Sequence, residues 1–297
     1  MSWIVNATSS NVHTVTFTEP FRNKDWEQWV LNISDVHFDS VLCDRKLLLR
    51  HLVEARKRNA PIFVNGDFFD AMQGKYDPRR SYSDLRPEYV GPNARAYYDA
   101  IVHDAVKTMK PYADLLTVFG YGNHESSVDK NANTDILAAF VEKINEPETP
   151  VFTGGYGGWI FWRFKQGDTN RGSSTVKMKY FHGAGGGAPV TLGTIQGQRM
   201  LARYPTADIL TTGHVHNKWA VTRSREMITP TGRVYTSNQL QICTASYKED
   251  WGDGSGNWHV ERGADPKPLG GYWLRFTCER DHVEDTVKVQ TQAMEAI

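Results

Sequence analysis

A chain of 297 residues with 34 basic and 34 acidic side chains has zero formal charge. That argues against a protein that coats nucleic acid or an anionic membrane, since either calls for a basic excess. Apolar residues make up 40% and charged residues 23%, ordinary globular usage that excludes disorder as the dominant state.

The first half alternates strand and helix signals. Trp29 to Ile33 reads as a buried strand ending at Ser34-Asp35. Asp44 is placed to cap a helix over 45–58, with Leu48, Leu52 and Ala55 on one face. Ile62 to Val64 is a short second strand ending at Gly66-Asp67. A polar stretch, 71–92, interrupts the pattern and reads as a rim insertion. Asn93 is expected to cap a helix that runs to about Lys110 and stops at Pro111. Leu115 to Phe119 is a third strand that ends in a turn from Gly120 to Glu125, and a further helix covers Asp135 to Ile144.

The second half is strand-rich. Gly158 to Phe164 and Thr175 to Phe181 carry strand patterns, and a short helix is expected over Thr194 to Arg203. Ile209 to Thr211 is a strand entering Gly213-His214. Strands are expected near 218–223, 233–243, 271–277 and 285–292, with a long Gly-, Asp- and Pro-rich loop from Tyr247 to Gly270. No linker divides the chain, so 1–297 reads as one α/β domain with a strand- and loop-rich C-terminal extension from about 220.

The cysteines Cys43, Cys243 and Cys278 form neither a disulfide framework nor a CxxC pair. The N-terminus lacks the basic start and apolar run of a secretory signal, and no stretch approaches a membrane span. The expectation is a reducing, cytoplasmic setting with no membrane partner.

Five short strings carry chemistry: Asp35-Val36-His37, Gly66-Asp67-Phe68-Phe69-Asp70, Gly122-Asn123-His124-Glu125, Phe181-His182-Gly183 and Gly213-His214-Val215-His216. Each follows an expected strand, and strand carboxyl ends face the ligand crevice of an α/β sheet. Carboxylates, imidazoles and one amide oxygen, without thiolate, suit Mn, Fe, Zn, Co or Ni. Seven candidate ligands exceed the needs of one ion. Two ions about 3.5–4 Å apart fit, if one carboxylate bridges them; such pairs acidify a water and clamp the attacking and leaving oxygens of a phosphate.

In order and content the strings resemble the calcineurin-like metallophosphoesterases, whose pattern is DxH, GDxxD, GNH[DE], a lone H, then GHxH. The resemblance spans roughly 29–219. It implies a four-layer α/β/β/α sandwich, two mixed sheets face to face with helices outside. It also implies two divalent ions, Mn foremost, with Fe, Zn, Co, Ni or Mg as alternatives. Carried over by position, Asp35, His37 and His216 hold the first ion, Asn123, His182 and His214 the second, and Asp67 bridges them. His124 assists the leaving oxygen, and Asp70 is the carboxylate that orients it.

The implied activity is phosphoester hydrolysis. Members that dephosphorylate proteins carry Arg directly after GDxxD, where this chain has Ala71. The GDFFD string and Phe38 after DxH look more like the nuclease and cyclic-nucleotide branches. The expected substrate is therefore a phosphodiester, nucleotide-type or a short nucleic acid. A phosphomonoesterase acting on nucleotides or small metabolites is the alternative, and a non-catalytic scaffold the rival outside enzymes. Lys75, Arg79, Arg80 and Arg86, with Tyr76 and Tyr82, fit a phosphate grip and a solvated ion-pair loop with Asp77, Asp84 and Glu88 equally.

Other features have plain readings. His13, His51, His103, His259 and His282 read as surface or satisfied core histidines. Trp159 and Trp162, three apart, cannot share a strand face. Trp251 and Trp258 read as packing or subunit contacts, which leaves a homo-oligomer open, with stacking on a nucleobase the rival. Two divalent ions outweigh the charges of Asp35 and Asp67, so a neutral chain still offers a positive cleft.

Overall fold

The computed structural model describes residues 3–21, 25–73, 77, 85–89, 97–166, 169–254, 258–261, 263–281 and 286–297. Its strands are β1 (Trp3–Ser9), β2 (Val12–Phe17), β3 (Glu27–Ile33), β4 (Ile62–Asn65), β5 (Leu116–Gly120), β6 (Phe152–Thr153), β7 (Gly157–Gln166), β8 (Thr169–Phe181), β9 (Ile209–Thr212), β10 (Trp219–Ile228), β11 (Val234–Cys243), β12 (Gly271–Asp281) and β13 (Thr286–Ala296). The longer helices are α1 (Arg45–Lys57), α2 (Tyr97–Met109), α3 (Asn123–Ala132), α4 (Ile136–Ile144) and α5 (Thr194–Arg203).

The strands form two mixed sheets. One runs β1-β2-β7-β8-β9-β11-β10 and the other β13-β12-β3-β4-β5-β6. Side chains interlock between them. Phe63 on β4 meets Tyr180 on β8 with centroids 5.1 Å apart, and Phe164 on β7 meets Phe276 on β12 at 5.0 Å. A polar tie crosses this core as well, from the Asn32 amide to the Thr211 hydroxyl at 2.9 Å, and satisfies two buried groups. Burial alternates along β7, so Trp162 is sealed between the sheets while Trp159 packs edge-on against Tyr204 on the opposite face.

Helices cover both outer faces, completing the α/β/β/α order. Asp44 caps α1, its carboxylate accepting the Leu47 N–H at 2.9 Å, and Leu48, Leu52 and Ala55 are buried as expected. Asp135 caps α4 in the same way through Ala138. Phe140 of α4 packs on Phe68, Phe69 and Phe119, with centroids 5.0–5.8 Å apart. On the other face, α5 lies so close that a Cβ at Gly197 would strike Gln241 of β11.

Several features were not legible in the sequence. The hairpin β1–β2 adds two strands to the first sheet, with Trp3 and Val5 turned inward. The turn expected at 120–125 is instead the start of α3, which Asn133 ends in a left-handed conformation. The strands after residue 220 are divided between the sheets: β11 pairs in parallel with β9, and β12 pairs antiparallel with β3. The expected Asn93 cap, together with Lys75, Tyr76, Arg79, Arg80, Tyr82 and Asp84, lies outside the described residues, as do His282 and the side chains of Trp258 and His259. Arg86 is described and grips no open cleft; its guanidinium donates to the Ser40 and Cys43 carbonyls at 2.9 and 3.1 Å. Among the described residues, no helix is long and apolar enough to cross a membrane.

His51, buried on α1, shares a 2.6 Å hydrogen bond with the Tyr247 hydroxyl. Burial pushes its imidazolium down to about 4, from an ordinary value of 6.5. The unfolded chain therefore binds a proton that the folded chain refuses. This contribution is complete above pH 6.5 and is lost as pH falls toward 4, by up to about 3 kcal/mol. In urea titrations at pH 7 and 4.5, His51→Gln is expected to lose less stability on acidification than the wild type. Equal losses would remove His51 from the acid response.

Candidate metal centre

The five strings leave strands that end at the same edge of the two sheets. β3, β4 and β5 are parallel neighbours in one sheet, and β8 and β9 are parallel neighbours in the other. Their loops are tied together by main-chain bonds. The N–H groups of Asp35 and His37 donate to Gly66 and Asp67 carbonyls at 3.1 Å each, and Gly213 N–H donates to the His182 carbonyl at 2.7 Å. The His214 N–H reaches the Asp35 carboxylate at 3.0 Å, and the His124 N–H reaches Asp67 Oδ1 at 2.9 Å.

The backbone there is strained. Asp35, His37, Asp67, His214 and His216 all have left-handed φ, between 48° and 70°. Such residues cost on the order of 1–3 kcal/mol each and persist where the surroundings over-determine them. Close approach explains two glycines. A Cβ at Gly122 would collide with the Asp67 carboxylate and main chain, and one at Gly213 with Ser34 and the Asp35 carboxylate.

All nine residues singled out by the sequence come together. Three groups, Asp35/His37/His216, His37/Asp70/His124, which shares His37 with the first, and Asp67/His182/His214, each have ligand atoms within 4.8 Å of one another. Asn123 Oδ1 joins the last of these, 2.7 Å from His214 Nδ1 and 3.3 Å from His182 Nε2. Carbonyl oxygens only accept, which fixes two ring protons. His182 Nδ1 donates to Asn65 O at 2.8 Å, and His124 Nδ1 to Asp70 O at 2.6 Å, so both Nε2 atoms face the cluster. The Nε2 atoms of His37 and His216 are 3.2 Å apart, a spacing that needs a shared proton or cation between them.

Charges agree with a cation cage. Burial alone would raise the Asp67 and Asp35 carboxyls, but His182, with His124 at Asp67 and His216 at Asp35, holds both low, Asp67 well below the usual range. Burial opposes the imidazolium of His182 and of His216, yet the facing carboxylates raise them to about 10 and about 9. The donor set of nitrogen and oxygen, with two ionised aspartates, fits divalent ions of the harder transition series.

The structure corrects the role expected of Asp70. Its carbonyl, not its carboxylate, holds His124; the carboxylate is 3.9 Å from His124 Nδ1. The carboxylate instead lies 2.9 Å from His37 Nδ1 and accepts from Lys248 Nζ at 3.0 Å. Lys248 draws it there. Despite burial, the Lys248 and His37 charges hold the Asp70 carboxyl far below its ordinary value.

Other supporting residues were not singled out as site residues by the sequence. Asp39 accepts the Asp70 and Ala71 N–H groups at 2.7 and 3.0 Å and the Tyr97 hydroxyl at 2.6 Å. Glu125, the last residue of GNHE, accepts from Gly122, Asp67 and Phe69 N–H groups at 2.9–3.1 Å; burial and Asp67 push its carboxyl up to about 7. Lys248 and Asp250 come from the loop after β11, where composition gave no sign of them.

Two facing mixed sheets flanked by helices, with these five loops at one edge, give the four-layer α/β/β/α order expected from the sequence. No protein-family model and no curated protein matches the chain. Solved structures resemble it distantly. A conserved uncharacterized protein from Streptococcus pneumoniae TIGR4, described as a predicted phosphoesterase, is 11% identical with TM-score 0.31, covering 91% of this chain and 99% of its own. Chaetomium thermophilum Vps29 is 10% identical at TM-score 0.34, covering 90% and 96%. GAP50, the anchor in the inner membrane complex of Plasmodium, is 10% identical at 0.40, covering 91% and 85%. The fold is defined here by its own strand order and converging loops, not by these scores.

Proposed function

We propose that the chain is a dinuclear-metal phosphoester hydrolase acting on phosphodiesters of nucleotide type or short nucleic-acid ends. One observation carries the reading: two donor groups stand side by side, with Asp35 in reach of a histidine of each. Asp35 Oδ1 is 3.4 Å from His216 Nε2 of one group and 4.0 Å from His182 Nε2 of the other, and Asp67 Oδ2 is 3.0 Å from His182 Nε2. Asp35, His37 and His216 would hold one ion and Asn123, His182 and His214 the other, with Asp67 common to both; Mn is the first candidate. When bound, such a pair supplies Lewis-acid stabilisation and an acidified water.

The chain's own groups do the rest. His124, fixed through Nδ1, presents Nε2 beside Asp67 at 3.9 Å, where in its imidazolium form it holds a proton for the leaving oxygen. Ala71 is buried and offers no cation at the position where protein phosphatases of the resembled family carry arginine. Lys248 is engaged with Asp70 and Asp250. A diester, with one charge fewer than a monoester, suits a cleft whose positive charge comes from the ions themselves. The buried thiols of Cys43 and Cys243 suit a reducing, cytoplasmic setting.

A hydrolysis panel after Mn reconstitution tests the substrate. Bis-p-nitrophenyl phosphate, cyclic nucleotides and short DNA are expected to turn over faster than p-nitrophenyl phosphate. Monoester turnover alone would overturn the diester assignment. No turnover of any ester by a metal-loaded chain would leave the scaffold reading.

A further inference from the structure

Among the described residues, the loop that follows β11 places no side chain in the donor groups, yet it stands behind two of the ligand histidines. His37 Nδ1 lies 2.9 Å from Asp70 Oδ1, and His216 Nδ1 lies 3.6 Å from Asp250 Oδ2. Lys248 Nζ stands between those carboxylates, 3.0 Å from Asp70 Oδ1 and 3.7 Å from Asp250 Oδ1. Both histidines belong to the same donor group, with Asp35. The second group is backed differently: behind His182 stands a neutral main-chain carbonyl, Asn65 O, at 2.8 Å.

The loop is fastened where this matters. The Ser246 hydroxyl and the Tyr247 N–H both donate to the Asp35 carbonyl, at 2.8 and 3.0 Å, and the Glu249 N–H donates to the Leu42 carbonyl at 2.9 Å. Ser246 Oγ also accepts the Lys248 N–H at 2.9 Å. The charged triplet therefore keeps its distance from the first motif, because its main chain hangs on that motif.

We propose that Asp250, with Lys248 and Asp70, forms a charged brace that orients both histidines of one metal position and makes the two positions unequal, the Asp35/His37/His216 position binding more tightly. This rests on the dinuclear reading above. Carboxylate-backed imidazoles have fixed tautomers and greater ligand basicity, and loss of such a partner weakens metal affinity by about 10–100-fold. Asp250 and Lys248 are positioning residues in this scheme, since neither reaches the reacting atoms.

The test is a Co²⁺ titration of the metal-free chain, followed by calorimetry and by the visible absorption of the bound ion. The wild type is expected to bind two ions in two resolved steps. Asp250→Asn should weaken one step by about 10–100-fold and leave the other in place, while Asp250→Glu, which keeps the charge, should restore most of it. Thermal melts of the metal-free variants check folding, and if Asp250→Asn does not fold, Asp250→Ser takes its place. Equal weakening of both steps, or of neither, overturns the brace while the dinuclear reading stands. A wild type that binds no ion overturns the dinuclear reading and the brace with it.

Discussion

Asp67→Asn should strip the centre of its metal and lower turnover by at least about 10³-fold. The carboxylate is buried and ionised, with His182 Nε2 3.0 Å from one oxygen and the His124 N–H 2.9 Å from the other. An amide of the same shape keeps the bond to His124 but removes the negative charge that faces His182 and His124 and that the proposed centre shares between its ions. Transition-state stabilisation by the ions amounts to several kcal/mol, and each 1.36 kcal/mol is tenfold in rate. Elemental analysis together with kcat/KM on bis-p-nitrophenyl phosphate measures both effects. Full metal content with unchanged turnover would refute the shared role of Asp67.

His124→Ala has the next largest expected effect, a loss of about 10²–10⁴-fold in kcat with metal content unchanged. The loss should deepen as the leaving group becomes a worse one, because a proton at the leaving oxygen matters most there. His124 stands close enough to His37 and Asp70 for the three to hold an ion themselves, since their ligand atoms lie within 4.8 Å of one another. Loss of metal in His124→Ala would therefore make it a ligand, and a flat dependence on leaving group would remove its proton-donor role.

The sequence showed the centre better than it showed what surrounds it. That nine residues would cluster at one edge was legible because strained, close-packed loops demand particular residue types at fixed spacing: glycine where Gly122 and Gly213 press on carboxylates, aspartate or histidine where the chain turns left-handed. Cap and face signals placed α1, where Asp44 and the spacing of Leu48, Leu52 and Ala55 agree with the helix found. The supports were hidden because they depend on tertiary contact. Lys248 lies 178 residues from Asp70, and nothing near either in the chain announces their 3.0 Å contact. The same contact misdirected the reading of Asp70, whose place in GDxxD suggested a partner in His124 that its own carbonyl holds instead. Start-of-helix signals were present at α3 but masked by the motif: Glu125, three residues after Gly122, reaches back to the Gly122 N–H as a first-turn acid does.

Anomalous diffraction from crystals soaked in Mn²⁺ tests the central claim most directly. Two peaks per chain are expected, one enclosed by Asp35, His37 and His216 and the other by Asn123, His182 and His214, with Asp67 touching both. A single peak, or none at saturating Mn²⁺, would contradict the dinuclear centre.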